Sequence, residues 1–318
     1  MAHPSASPAS PASAPSPPPR SAAPPPHASA AGTWRLGDMT VNRLGLGAMR
    51  LPGPTPFAPR EESVSGDRDR AITVLRRAVE LGVNHIDTAA FYFSPLRSAN
   101  ELINSALAPY PDDLLLATKV WPGRDPSGEW TWADPNQLRG QVEENLRQLG
   151  RDHLDLVNLR VPPSRRRADA SIAEHFGALA QVREAGLVRH LGVSNVTAAQ
   201  LAEARAIAPV VCVQNAYGLG AAAAEEQQLL SRCGEYGIAY VPFYSLADTE
   251  DTDAVRTVAR AHAATPAQVR LAWTLHQGPH VLAIPGTGDP AHLQANIAAG
   301  ALTLTPADLA LLEPETHE

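Results

Sequence analysis

Eight short apolar runs divide the chain: Leu44–Met49, Val83–Thr88, Leu114–Lys119, Leu154–Val161, Arg189–Ser194, Val210–Gln214, Ile238–Phe243 and Val281–Pro285. They are continuous rather than alternating, the pattern of strands covered on both faces. Stretches of helical period lie between them. Asp69–Leu81 sets Ala71, Val74, Leu75, Ala78 and Leu81 on one stripe, and Gly82 follows as a C-cap. Asn136–Leu149, Ser171–Ala185 and Ala222–Tyr236 are closed in the same way by Gly150, Gly186 and Gly237, each shortly before a strand. Asp289–Ala298 opens with a capping residue and has Pro290 at its first helical position. Eight βα units with no separate strand cluster predict a (β/α)8 TIM barrel. Before the first barrel strand, Thr33–Leu36 and Met39–Val41 around Gly37-Asp38 read as a β-hairpin.

Length and composition refine this picture. A chain of 318 residues suits one α/β barrel. Met1–Gly32 is nearly all Pro, Ala and Ser, with Arg20 its one charged residue. It has almost nothing to bury, which predicts a disordered tail over residues 1–32 and a barrel over 33–318. No leucine-rich core follows a basic start, so the tail does not read as a secretory signal. The net charge of −7 and the lack of a basic stripe argue against nucleic acid. Arg165-Arg166-Arg167 reads as a solvated loop tip. Cys212 and Cys233 make no disulfide framework, and no apolar run approaches ~20 residues, so neither oxidative folding nor a membrane span is expected. The expected location is cytoplasmic. The sequence is silent on oligomeric state.

One residue stands out from that composition. Lys119 is the single lysine; the other 25 of the 26 basic residues are arginine. Lysine is a compact ammonium whose pKa moves on burial, whereas arginine stays charged. Lys119 ends an apolar run, at the strand end where parallel barrels collect their chemistry. Other polar residues at such ends are Arg50, Asp87, Tyr92, Arg160, Ser194, Asn195, Gln214 and Asn215. Asp87 ends the neighbouring strand, and a carboxylate there holds the ammonium charged. The ammonium in turn is expected to lower the pKa of Tyr92, five residues past Asp87, so that the tyrosine can protonate a developing alkoxide.

Asp87-Thr88-Ala89-Ala90-Phe91-Tyr92, Thr118-Lys119, Asp152-His153-Leu154-Asp155-Leu156, Gly192-Val193-Ser194-Asn195 and Ile284-Pro285-Gly286-Thr287 together resemble the motifs of the aldo-keto reductases, in order, from about residue 34 to the end. The resemblance implies an NADP-dependent oxidoreductase moving a hydride between nicotinamide and an aldehyde or alcohol. It implies Asp87, Tyr92 and Lys119 as catalytic residues. The fourth strand departs from the family pattern, ending in Arg160 where a histidine is usual. Arginine cannot shuttle a proton near neutral pH, but it can orient a carbonyl oxygen and stabilise charge on it. Arg160 in Val157-Asn158-Leu159-Arg160, with Val211-Cys212-Val213-Gln214-Asn215 and Tyr217, is most similar to the bacterial branch acting as pyridoxal reductases (pyridoxine 4-dehydrogenases). Pyridoxal is therefore the substrate the resemblance implies.

The same resemblance implies a cofactor site. Ser194, Asn195 and Gln214 match the groups that hold the nicotinamide carboxamide, and Phe243 matches an aromatic ring stacked on the nicotinamide. Gly47, Ala48 and Met49 match the first-strand contacts. Gly286, Thr287, His292 and Asn296 match the segment that grips the adenosine end. The usual strong cations for a 2′-phosphate are missing there, so NADPH is the expected cofactor but NADH is not excluded. No metal is implied. Trp130 and Trp132, in the loop after Lys119, could wall the substrate pocket or cover the barrel rim. Two other classes fit parts of the pattern. A strand-end lysine also suits a Schiff-base lyase, and the fold also serves NADPH-binding partner proteins without turnover.

Overall fold

The computed structural model describes residues 25–53, 68–125, 127–220, 223–243, 245–246 and 251–313. A seven-stranded parallel sheet forms the frame. Its strands are β3 (Leu46–Gly47), β4 (His85–Asp87), β7 (Leu115–Val120), β10 (Leu154–Arg160), β11 (Val188–Ser194), β12 (Val210–Gln214) and β13 (Ala239–Tyr240), each beside the next in that order. The eighth apolar run does not form a regular strand. It instead bridges both sheet edges: Val281 pairs with Tyr240, while Ala283 and Gly286 pair with Leu44 and Gly47. These bridges carry backbone hydrogen bonds, including Leu282 N to Tyr240 O (2.9 Å) and Gly45 N to Ala283 O (2.9 Å), and they close the barrel. The run is interrupted by Pro285, which has no N–H to give to a ladder.

The helices on the outer face follow the apolar stripes. They are α1 (Arg68–Glu80), α2 (Ala99–Leu107), α3 (Leu138–Leu149), α4 (Ala173–Glu184), α5 (Ala198–Ile207), α6 (Ala224–Glu235), α7 (Asp253–Ala261), α8 (Pro266–His276), α9 (Pro290–Ala298) and α10 (Pro306–Leu312). Ala71, Val74, Leu75 and Ala78 of α1 are buried against the sheet, as their spacing predicts. Gly82, Gly150, Gly186 and Gly237 all adopt left-handed backbone angles, φ between 62 and 84°, which is why glycine recurs between helix and strand. Among the described residues, no helix is long and apolar enough to cross a membrane.

Two cores result. The larger lies between sheet and helices. The smaller fills the barrel with Leu115, Ala117, Leu156, Cys212 and Leu282, and is continued by Leu36 and Val41. Those two residues belong to the predicted hairpin, β1 (Thr33–Leu36) paired antiparallel with β2 (Met39–Asn42). Its apolar face therefore plugs the N-terminal end of the barrel.

Part of the predicted tail, residues 25–32, is described. Residues 1–24 of the predicted tail lie outside the described residues. Ala28–Ala31, however, form a 3₁₀ turn in which Ala28 and Ala31 are buried. Ala28 N donates to Leu81 O at 2.8 Å, so the folded part begins upstream of Gly32. Two small buried residues, with further hydrogen bonds from Arg43 N to Gly32 O (2.9 Å) and from Arg43 Nη1 to Ala31 O (3.2 Å), dock a segment whose composition reads as disordered.

Two short hairpins decorate the C-terminal end: β5 (Phe93–Ser94) with β6 (Arg97–Ser98), and β8 (Pro122–Arg124) with β9 (Trp130–Trp132). The first follows Tyr92 and the second follows Lys119.

Candidate active site

Parallel pairing sets the heights of the candidate side chains. Asp87 stands beside Ala117 and Gly47, and Lys119 beside Asn158. Lys119 is thus one inward-facing position above Ala117, and its stem reaches back to the carboxylate. Its Nζ lies 2.6 Å from Asp87 Oδ2 and donates to Thr88 O at 3.0 Å. The other carboxylate oxygen, Oδ1, accepts from Gln214 Nε2 at 2.7 Å. Lys119 and Asp87 have side-chain exposures of 1% and 6%, so the pair is shielded from solvent. Burial opposes the ammonium, but the Asp87 carboxylate and Tyr92 more than offset it, and the pKa of Lys119 lies above its ordinary value.

Tyr92 is held by a turn, its N–H donating to Ala89 O at 2.9 Å, and by an edge-to-face contact with Phe91 at 5.1 Å. Lys119 Nζ lies 4.9 Å from its ring centre. The sequence argument expects a lowered tyrosine pKa, and the structure reverses that direction. Burial pushes the phenol up; Lys119 and Arg160 pull it down, while Asp87 pushes it up again. Burial is the largest of these influences, so the pKa of Tyr92 lies above its ordinary value and the phenol keeps its proton at neutral pH.

Arg160 ends β10, half-buried. It donates to Ser194 Oγ at 3.1 Å, and its guanidinium lies 4.7 Å from the ring centre of Phe243. Arg160, Tyr92, Asp87, Gln214 and Phe243 border one cavity of about 120 Å³, which Gly47, Met49 and Gly286 also line. Most of the sequence candidates are therefore brought together. Ser194 and Phe243, matched to the nicotinamide site, are also the groups that hold Arg160.

Other candidates lie differently. Ala48 is wholly buried and does not border the cavity. Asn195 has φ 57°, donates its Nδ2 to Val161 O (2.8 Å), and takes Gln214 O through its backbone N–H (3.0 Å). Asn215 turns away from the cavity. Its amide exchanges hydrogen bonds with the backbone of Val196 and reaches Glu226, so it fastens β12 to the outer layer. Thr287 and Asn296 are buried, and His292 is exposed on the first turn of α9. Trp130 and Trp132 do not border the Tyr92 cavity. Trp130 packs on Phe91 at 5.5 Å, and Trp132 lines a separate cleft of about 690 Å³ alongside Phe91 and Gln141.

Two residues passed over by the sequence reasoning enter the site. Arg50, noted there as a strand-end residue without a role, borders the cavity. Asn158, a polar residue amid an apolar strand, is fully buried inside the barrel, and neither atom of its amide has a partner among the described residues. Gly192 leaves the space it fills: a Cβ there would lie 2.0 Å from Asn158 Oδ1.

A barrel whose strand ends gather a buried Asp–Lys pair beneath a tyrosine is the architecture of a carbonyl reductase. The chain belongs to the aldo/keto reductase family, whose model matches residues 43–314. It is 44% identical to pyridoxine 4-dehydrogenase of Escherichia coli (strain K12) over 294 residues, 91% of this chain and all of that protein. It is 36% identical to an uncharacterized oxidoreductase of Schizosaccharomyces pombe, over 91% of each chain. Among solved structures, a thermostable aldo-keto reductase crystallised with the inhibitor epalrestat matches with a TM-score of 0.72 at 28% identity, over 88% of this chain and 98% of that one. An aldo-keto reductase from Klebsiella pneumoniae in complex with NADPH matches with a TM-score of 0.73 at 25% identity, over 90% and 97%.

Proposed function

We propose that the protein is a cytoplasmic, NADPH-dependent reductase of aldehydes, with pyridoxal as its substrate. The observation that carries the reading is the buried Tyr92 beside the Lys119–Asp87 pair at a cavity wall. The similarity to a pyridoxine 4-dehydrogenase supports the choice of aldehyde.

The residues present fit a nicotinamide cofactor. Gln214 is 1% exposed, and its Oε1 has no partner among the described residues. A buried amide oxygen of this kind costs about 1–3 kcal/mol unless a donor reaches it, and a carboxamide N–H₂ is such a donor. Gly47 and Gly286 face each other, and a Cβ on Gly47 would lie 2.7 Å from Ile284 O, so the cavity wall there is bare backbone. In this reading Ser194, Asn195 and Gln214 hold the carboxamide, Phe243 covers the nicotinamide, Gly47 and Met49 take the first-strand contacts, and Gly286, Thr287, His292 and Asn296 take the adenosine end. Ala48 shapes the turn between them.

NADPH, when bound, supplies a hydride to the carbonyl carbon. Tyr92 gives its proton to the carbonyl oxygen, so the products are an alcohol and a tyrosinate that is reprotonated from solvent. Lys119 stabilises that tyrosinate, and Asp87 keeps Lys119 charged and in place. Arg160 donates to the carbonyl oxygen and orients it. A Schiff-base role for Lys119 needs a neutral, accessible amine. The raised pKa and near-complete burial of Lys119 oppose it.

The test is oxidation of NADPH by the purified protein against pyridoxal, simple aldehydes and ketones, repeated with NADH. Turnover of pyridoxal with NADPH supports the reading. Tight NADPH binding without turnover of any carbonyl compound points instead to a non-catalytic partner protein.

A further inference from the structure

Resting on that cofactor reading, the geometry points to a further pair of residues: Arg70 and Asp289 together read the 2′ position of the cofactor's adenosine, Arg70 as the cation for a 2′-phosphate and Asp289 as the group that opposes it.

Residues 286–296 contain no lysine or arginine, so the segment facing the adenosine brings no fixed positive charge of its own. It brings a negative one. Asp289 is the N-cap of α9, and its Oδ1 accepts from Ala291 N at 2.7 Å and His292 N at 3.2 Å. The first amides of the helix, which in many proteins greet a phosphate, are here engaged by a carboxylate. Thr287 Oγ1 accepts from Asp289 N at 3.0 Å, which fixes the turn directly after Gly286 at the cavity wall.

The remaining oxygen, Asp289 Oδ2, is taken by Arg70 Nη2 from the first turn of α1. The cation that the segment lacks therefore arrives from another βα unit, 219 residues away in sequence. A guanidinium carries five donors, and a single carboxylate oxygen engages few of them. The pair is partly open to solvent, with side-chain exposures of 47% and 30%, so a ligand can reach it. A carboxylate beside the ribose suits a free 2′-hydroxyl, while an arginine suits a 2′-phosphate. Here both occur in contact. Arg70 neutralises Asp289 and offers the fork to the phosphate, so removing either partner moves the preference in opposite directions.

Calorimetric titration with adenosine 2′,5′-bisphosphate and with 5′-AMP tests this without turnover. Arg70→Leu is expected to weaken the bisphosphate by ~10-fold or more, the scale of one charge-assisted hydrogen bond, and to leave 5′-AMP within about twofold. Asp289→Asn keeps the helix cap, since asparagine caps as well as aspartate, and is expected to tighten the bisphosphate several-fold relative to 5′-AMP. Both variants should keep the wild-type unfolding transition. An unchanged ratio of the two affinities in both variants overturns the assignment while leaving the cofactor reading intact. Failure of the wild-type protein to bind NADPH, NADH or either nucleotide overturns the cofactor reading itself.

Discussion

Lys119 Nζ lies 4.9 Å from the centre of the Tyr92 ring, and both groups are almost fully buried. A lone ammonium at that distance would draw the phenol toward tyrosinate. Its charge is instead shared with Asp87, 2.6 Å away, so burial governs Tyr92 and the phenol keeps its proton. The cluster is thus arranged to give a proton and only then to stabilise the anion left behind.

Tyr92→Phe removes the proton donor and little volume. Reductive kcat is expected to fall by ~10²–10⁴-fold, with cofactor affinity retained in a fluorescence titration. In the wild-type protein, the limb of the pH profile due to Tyr92 appears where it loses its proton. Since its pKa lies above the ordinary ~10, reduction should not decline from this group across the neutral range.

Lys119→Met leaves the Asp87 carboxylate buried without its cation, apart from the Gln214 contact. The expected cost is about 3–5 kcal/mol of stability, read from urea unfolding midpoints. Lys119→Arg keeps the charge but not the shape, because a planar fork cannot occupy the site of a compact ammonium. It is expected to recover stability only in part and to leave reduction impaired. Full activity in Lys119→Arg would show that charge alone is what the position supplies.

Arg160→Ala should lower kcat/KM more than Arg160→His does, because histidine retains a donor that can reach a carbonyl oxygen. Steady-state kinetics with pyridoxal measure both. Equal losses would mean that the position acts by packing on Phe243 rather than by donating.

His85 supplies a pH dependence of stability. It lies inside the barrel, 3% exposed, and burial pulls its pKa down to about 4 from 6.5, slightly countered by the backbone of Asn42. The unfolded chain therefore takes up a proton near pH 6.5 that the folded chain refuses until about pH 4. Stability contributed by neutral His85 is complete above pH 6.5 and declines as pH falls through that window, by about 3 kcal/mol in total. Urea unfolding of wild type and His85→Leu at several pH values should show wild-type stability, relative to the variant, falling by about 3 kcal/mol toward acid. A constant difference across that range would remove His85 as the cause.

Much of this was legible in the residues. The continuous apolar runs and the glycines that follow helices specify the barrel because buried parallel strands and left-handed caps leave few alternatives. The C-terminal strand ends then collect Asp87, Lys119, Arg160 and Gln214 by topology alone. What escaped was of three kinds. Helices α2, α5, α7, α8 and α10 are not among the helical stretches read from the sequence; of these, α5 is alanine-rich and gives little periodic signal. The direction of the Tyr92 shift escaped because it depends first on how completely the phenol is buried, which the local sequence does not specify. The Arg70–Asp289 contact escaped because pairing across 219 residues leaves no local pattern.

The solitary lysine has a last consequence. A lysine-specific protease has one site in this chain, the bond after Lys119, and that bond lies within the fully buried strand β7. Cutting there requires the central sheet to come apart, since local fraying of loops exposes no other lysine. The protein therefore carries a built-in reporter of global opening: the rate of its conversion into two fragments, 1–119 and 120–318, tracks the population of the opened barrel, and a bound ligand that closes the mouth will slow it.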